Sequence, residues 1–149
     1  MNADLIARLK HFKPVSISQK MPSIQIFKKT DKGELCFGLS IDEMKCKCTY
    51  EACRAVIIST RLVDAYEKFR KKIGLSCTIS SGYRCPQHNK DVGGSEKSRH
   101  QTGEAMDILF SKKIAEKFTL PEFIKIASES GFTFIKEYEG IKRIHADVR

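Results

Sequence analysis

Along these 149 residues the apolar positions change period several times, and each change predicts an element. "SIQIFKK" (residues 23–29) alternates apolar and polar positions like a short strand, and "DKGE" after it is a turn signal. In "LSIDEMKCKC", Ser40 is a candidate helix N-cap with Glu43 three residues on as its capping-box partner, so a short helix is expected there. Val56, Ile57, Leu62, Val63, Tyr66, Phe69 and Arg70 fall near helical spacing and Gly74 supplies a stop, which predicts one helix over residues 51–73. "SCTISSGYRC" reads as a strand running into a turn at Gly82, and "PQHNKDVGG" as a short helix or loop opening on Pro86. "EAMDILF" alternates again, with Ala105, Asp107 and Leu109 on one face and Met106 and Ile108 on the other. "LPEFIKIASES" followed by a glycine predicts a helix with a defined stop, and the final "FTFIKEYEGIKRIHADVR" a hairpin turning near Glu139 and Gly140. The expected class is α+β, with helices packed on a small antiparallel sheet. Residues 1–38 are the least legible and are taken as an N-terminal extension of unclear role, ahead of a domain at 39–149.

Composition narrows this picture. Hydrophobic residues make up 41% of the chain and charged residues 30%, the balance of a soluble globular domain. No apolar run approaches the roughly 18 residues that a membrane span requires, so no membrane insertion is expected. The N-terminal stretch has no apolar h-region followed by a small-residue cleavage site, so the chain as written is expected to stay in the cytoplasm unless released. A net charge of +9 points to a polyanionic partner: nucleic acid, an anionic membrane surface or an anionic cell wall. The basic residues are scattered rather than massed in a tail. No RNP, helix-turn-helix or zinc-finger spacing is present, and nucleic acid is not the expected partner.

The six cysteines raise a separate question. The preferred reading is buried free thiols, one pair closing to a disulfide after release from the cell. The alternative is a structural metal held by Cys36, Cys46, Cys48 and Cys53, although C-x9-C-x-C-x4-C does not match the paired C-x2-C knuckles of common zinc modules.

The stretch with the most chemistry is "SRHQTGEAMDI" (residues 98–108). Gly103 would let a loop histidine, His100, and a strand aspartate, Asp107, face one point. Asp107 sits mid-strand among apolar neighbours, where a bare carboxylate is costly to bury and a cation would remove the cost. His145 and Asp147 lie two apart in a strand-like segment and so share a face, as one ligand with a supporting or proton-transferring carboxylate. On spacing alone the reading of these residues as surface or satisfied core groups is the favoured one.

Ser98, His100, Gly103, Ala105 and Asp107 fit S-x-H-x-x-G-x-A-x-D at every fixed position, with "SGYR" upstream and "IHADVR" downstream. Over residues 39–149 this resembles the zinc D-Ala-D-Ala carboxypeptidase and L-alanyl-D-glutamate endopeptidase family, phage endolysins among them, whose superfamily includes the vancomycin-resistance dipeptidases and the hedgehog signalling domain. The resemblance implies one catalytic zinc on His100, Asp107 and His145, a monomer, and peptidoglycan stem peptides as substrate. It implies that Arg84 grips a substrate carboxylate or carbonyl, with Ser98 and Tyr83 as further substrate contacts. The family's usual acid three residues before the last histidine is here Lys142, which cannot act as a base while charged. Asp147 is the first candidate to replace it, as base or as orienter of His145. Glu139 is the second and Glu137 the third. His88 is not expected to bind the metal. A non-catalytic zinc module using the same pocket for recognition is the competing class.

Overall fold

The computed structural model describes residues 23–149. Among the described residues there are eight strands: β1 (Ile24–Lys28), β2 (Glu34–Cys36), β3 (Leu39–Ser40), β4 (Ala55–Ser59), β5 (Ile79–Ser81), β6 (Ala105–Leu109), β7 (Phe134–Glu137) and β8 (Arg143–Asp147). Between them lie helices α1 (Ile41–Met44), α2 (Thr60–Ile73), α3 (Pro86–Asp91), α4 (Lys112–Ala115) and α5 (Leu120–Glu129), with a single 3-10 turn at Arg99–Thr102. The class is α+β. Four strands form an antiparallel sheet in the order β5-β6-β8-β7, and β1-β4 and β2-β3 form two-stranded ribbons.

The sheet separates core from site by its two-residue period. Met106, Ile108, Ile144 and Ala146 are wholly buried in one apolar cluster with Tyr66, Phe69 and Phe123 of the helices. Asp107, His145 and Asp147 alternate with them and so emerge on the opposite face. On α2, Leu62, Ala65, Tyr66, Phe69 and Ile73 recur at helical spacing and are buried. Phe69 meets Phe123 of α5 edge-on with ring centroids 5.1 Å apart.

The helix expected over 51–73 begins only at Thr60. "AVIIS" ahead of it is β4, paired antiparallel with β1 from Ile24↔Ser59 to Lys28↔Ala55. A run of β-branched residues fits a pleated, half-buried surface, and a partner strand overrides a helical spacing that is only approximate. The capping boxes Ser40/Glu43 and Thr119/Glu122 close α1 and α5 at their N-termini. The division drawn after residue 38 runs through the β2–β3 hairpin, where Cys36 pairs with Leu39. Residues 1–22 of the proposed extension lie outside the described residues.

Candidate metal centre

Asp107 and His145 are direct cross-strand partners in the β6–β8 pairing. Opposed residues on one sheet face have Cβ atoms roughly 4.5–5.5 Å apart, so the register alone aims the two side chains at each other. His100 arrives from the 3-10 turn, whose end requires Gly103. That residue has φ +71, and a Cβ there would lie 2.2 Å from the Ile57 carbonyl oxygen. The Gly103 carbonyl also accepts from the Ser59 amide at 2.8 Å, which fixes the turn against β4.

The three side chains converge on one point. His100 Nε2 is 3.1 Å from His145 Nδ1, and each nitrogen is 3.2 Å from Asp107 Oδ1. The outer ring nitrogens are already committed. His100 Nδ1 donates to the Gly82 carbonyl at 2.7 Å, and His145 Nε2 donates to Asp147 Oδ2 at 3.0 Å. A carbonyl and a carboxylate can only accept, so in the neutral imidazoles, the form that binds a metal, both inner nitrogens carry lone pairs. Three acceptor atoms therefore face one another with no proton between them in that tautomeric state. A tetrahedral ion with bonds of about 2.0–2.1 Å needs donor atoms roughly 3.3–3.4 Å apart, close to the observed triangle. Two imidazoles and a carboxylate are a donor set that suits zinc, and the residues fit the ion.

Asp147 is completely buried. Besides His145, it accepts from the Arg149 guanidinium, Nε to Oδ1 at 3.0 Å and Nη2 to Oδ2 at 2.8 Å. Burial pushes its pKa up, but the Arg149 fork and His145 outweigh that and hold it below the usual carboxylate value. Asp107 is likewise held below the ordinary range, because contact with both histidines overrides burial. His145 is shifted upward: burial lowers it, and Asp107 and Asp147 more than compensate.

A cavity of about 740 Å³ opens over the triangle. Seven Lys and Arg side chains line it, against two carboxylates, Asp107 and Asp147. Arg84 lines it, held by Nη1 donating to Asn89 Oδ1 at 3.2 Å, while its buried Nε–H has no partner among the described residues. Arg143 has a buried, unpartnered Nε–H as well and lies over the Tyr138 ring at 4.4 Å. Tyr138 donates to Asp107 Oδ1 at 3.3 Å. Ser98 caps the 3-10 turn by accepting from the His100 amide, and it reaches the cavity wall.

Tyr83 departs from its expected place: it is packed in the core cluster and is absent from the cavity lining, because chain direction sends it inward while Arg84 turns out. Glu139 and Glu137 are exposed at and beside the β7–β8 turn and do not line the cavity either. Sequence reasoning missed Tyr138 and Arg143. Two-residue alternation back from His145 would have found Arg143 on the same face. No local signal marks Tyr138.

A second cluster lies beside this cavity. The Sγ atoms of Cys46, Cys48, Cys53 and Cys85 all lie within 4.8 Å of one another. The set expected from the sequence is corrected at one position. The β2 strand packs on α2 and carries Cys36 away, its thiol toward the Val63 carbonyl oxygen at 3.8 Å, and Cys85 takes the fourth place. Burial raises the pKa of the Cys46 thiol and takes that of Cys53 to about 12. Cys48 also feels burial, yet the Tyr50 amide and the neighbouring thiols bring it down to about 6. His88 stands outside the His–Asp triangle, with Nδ1 3.2 Å from Cys46 Sγ.

The model of a family described as Peptidase M15 matches residues 38–147. Among solved structures the chain is similar to the Serratia marcescens L-Ala D-Glu endopeptidase ChiX, with 16% sequence identity, coverage of 62% of this chain and 80% of that one, and a TM-score of 0.42. No curated protein matches the chain.

Proposed function

The chain belongs to the peptidase M15 family, and from that premise we propose that it is a zinc-dependent peptidase that hydrolyses peptide bonds in peptidoglycan, at D-Ala-D-Ala or L-Ala-D-Glu. The observation that carries this reading is the lone-pair triangle of His100, Asp107 and His145 at the floor of a cationic cavity. When bound, zinc supplies Lewis acidity at that point, polarising a peptide carbonyl and acidifying water.

The protein's own groups supply the rest. The Gly82 carbonyl and Asp147 hold the two imidazoles in the ligating tautomer. Arg84 and Arg143 line the cavity and would offer guanidinium N–H groups to a carboxylate of a stem peptide, for which a guanidinium fork is the geometric match. The surrounding positive charge favours the anionic wall as substrate. Both Asp147 oxygens are engaged by His145 and Arg149, which supports the orienting role over the base. Glu139 is then the first of the two remaining acids to accept a proton, ahead of Glu137, and it reaches the cavity only if the β7–β8 turn closes over bound substrate.

That last condition favours a second reading. No carboxylate among the described residues lines the cavity apart from Asp107 and Asp147, as expected of a zinc module that recognises a wall peptide without cutting it. Incubation of the zinc-loaded protein with purified sacculi separates the two. New amino termini support the peptidase, and mass spectrometry of the released muropeptides names the bond. Binding to sacculi without new termini overturns the peptidase reading. Glu139→Gln should abolish cleavage while retaining zinc; in a recognition module it changes nothing.

A further inference from the structure

Four of the six cysteines are gathered at one point at the margin of the His–Asp cavity. Thiols that merely fill apolar space are dispersed, as Cys36 and Cys77 are, each with a backbone carbonyl as its nearest polar neighbour, Val63 for one and Leu75 for the other. Cys46, Cys48, Cys53 and Cys85 instead present their sulfurs to one another, Cys48 and Cys85 at 3.7 Å. Four sulfurs around zinc at about 2.3 Å stand roughly 3.8 Å apart, whereas a disulfide requires about 2.05 Å.

The surroundings also suit thiolates. The Cys85 amide donates to Cys46 Sγ at 3.3 Å and the His88 amide to Cys85 Sγ at 3.5 Å. Lys29 Nζ reaches Cys48 Sγ at 3.5 Å and its carbonyl oxygen at 2.7 Å, a positive charge against an otherwise anionic site. The stretch from Cys46 to Arg54 forms neither helix nor strand, so little else fixes its course.

We propose that Cys46, Cys48, Cys53 and Cys85 bind a structural zinc ion, distinct from the His–Asp centre, that pins the Cys46–Cys53 loop to the start of α3. Four protein sulfurs leave no open position, which marks the site as structural. Its purpose follows from its neighbours. Cys85 adjoins Arg84, whose amide donates to the His100 carbonyl at 3.0 Å, and the Tyr83 amide donates to Met44 at 2.8 Å. The Gly82 carbonyl in the same turn orients His100. The ion therefore staples the segment that holds the substrate arginine and one ligand's hydrogen-bond partner.

The inference rests on the sulfurs alone and stands whether or not the chain cleaves peptides. Elemental analysis of the zinc-loaded protein should give about two ions per chain, and reconstitution with cobalt(II) a near-ultraviolet thiolate-to-metal band that nitrogen and oxygen ligands cannot produce. The His100→Ala variant should lose one ion and keep the band, and Cys53→Ser should lose the band. If the cysteine variants do not fold, the wild-type protein still decides: four thiols should react with a disulfide reagent only after a chelator is added. A single zinc without the cobalt band, thiol reactivity indifferent to chelator, or disulfides among the four in freshly reduced and refolded protein each overturns the site.

Discussion

Each histidine of the His–Asp centre has one ring nitrogen committed before any metal arrives, and the groups that commit them differ in kind. For His100 it is a backbone carbonyl that mutation of a side chain cannot remove. For His145 it is Asp147, and here a test is direct. Asp147→Ala should weaken zinc binding at this centre about 10–100-fold by calorimetric titration, while Asp147→Asn, which keeps an acceptor, should lose less. Equal affinity in wild type and Asp147→Ala would refute the orienting role. Gly103→Ala sets a left-handed φ against a Cβ lodged on the Ile57 carbonyl, and should cost more than about 3 kcal/mol by urea denaturation. Arg84→Ala should weaken the affinity for a carboxylate-bearing muropeptide by about 1.5–3 kcal/mol, and Arg84→Lys should not restore it, because an ammonium lacks the planar fork. That His100 and Asp107 meet was legible because the S-x-H-x-x-G-x-A-x-D spacing is local, whereas His145, 38 residues beyond Asp107, was joined to them only through the family resemblance. Tyr138 and the fourth sulfur were not legible, because each reaches its partners only through tertiary folding: Tyr138 Oη meets an aspartate 31 residues back, and Cys85 meets a thiol 37 residues back.

Elements whose period is unambiguous were read correctly: β6, α5 and the β7–β8 hairpin all stand where alternation and stop signals put them. The error at residues 55–59 arose because Val56, Ile57 and Leu62 satisfy a loose helical count, while β4 owes its strand state to β1, a partner no local window contains. Two predictions belong to this scale. Phe69 sits between Tyr66, Phe123 and Phe132, so Phe69→Ala should cost about 3–5 kcal/mol in chemical denaturation, through the cavity it leaves between α2 and α5. At the start of α5, hydrogen bonds from the Thr119 amide and hydroxyl hold the Glu122 pKa below its ordinary value of 4.5. A depressed carboxylate contributes stability that is present above its unfolded pKa and is lost as pH falls through the folded one. Acid titration of the unfolding midpoint should therefore show a component below about pH 4.5 that Glu122→Gln removes.

For the whole molecule, the sequence's +9 acquires a location: much of it that matters converges on one concave surface. Charge of this kind acts over a Debye length of about 8–10 Å, so binding to sacculi should weaken as salt rises from low to physiological concentration, and a salt-insensitive interaction would argue for an uncharged epitope. Composition announced an anionic partner without choosing one, because scattered lysines look alike in sequence. Folding gathers them around His100, Asp107 and His145, with Lys136 and Arg143 brought by the sheet and Lys47, Arg84, Lys97 and Arg99 by the segments that border it.

The cross-strand pairing of Asp107 with His145 also has a kinetic meaning. Their contact spans 38 residues of chain, and β8 enters the sheet between β6 and β7, so these donor atoms meet only once the sheet has assembled. Closing so long a loop is an entropic cost met before any ion can reward it. On the proposed reading, zinc at this centre is a late guest rather than a seed, and in zinc the wild type and His100→Ala, which lacks only this ion, should refold through the sheet at the same rate. The Cys46–Cys53 loop, which gathers three sulfurs within a short stretch, is the place where metal can be captured while the rest of the chain is still unfolded.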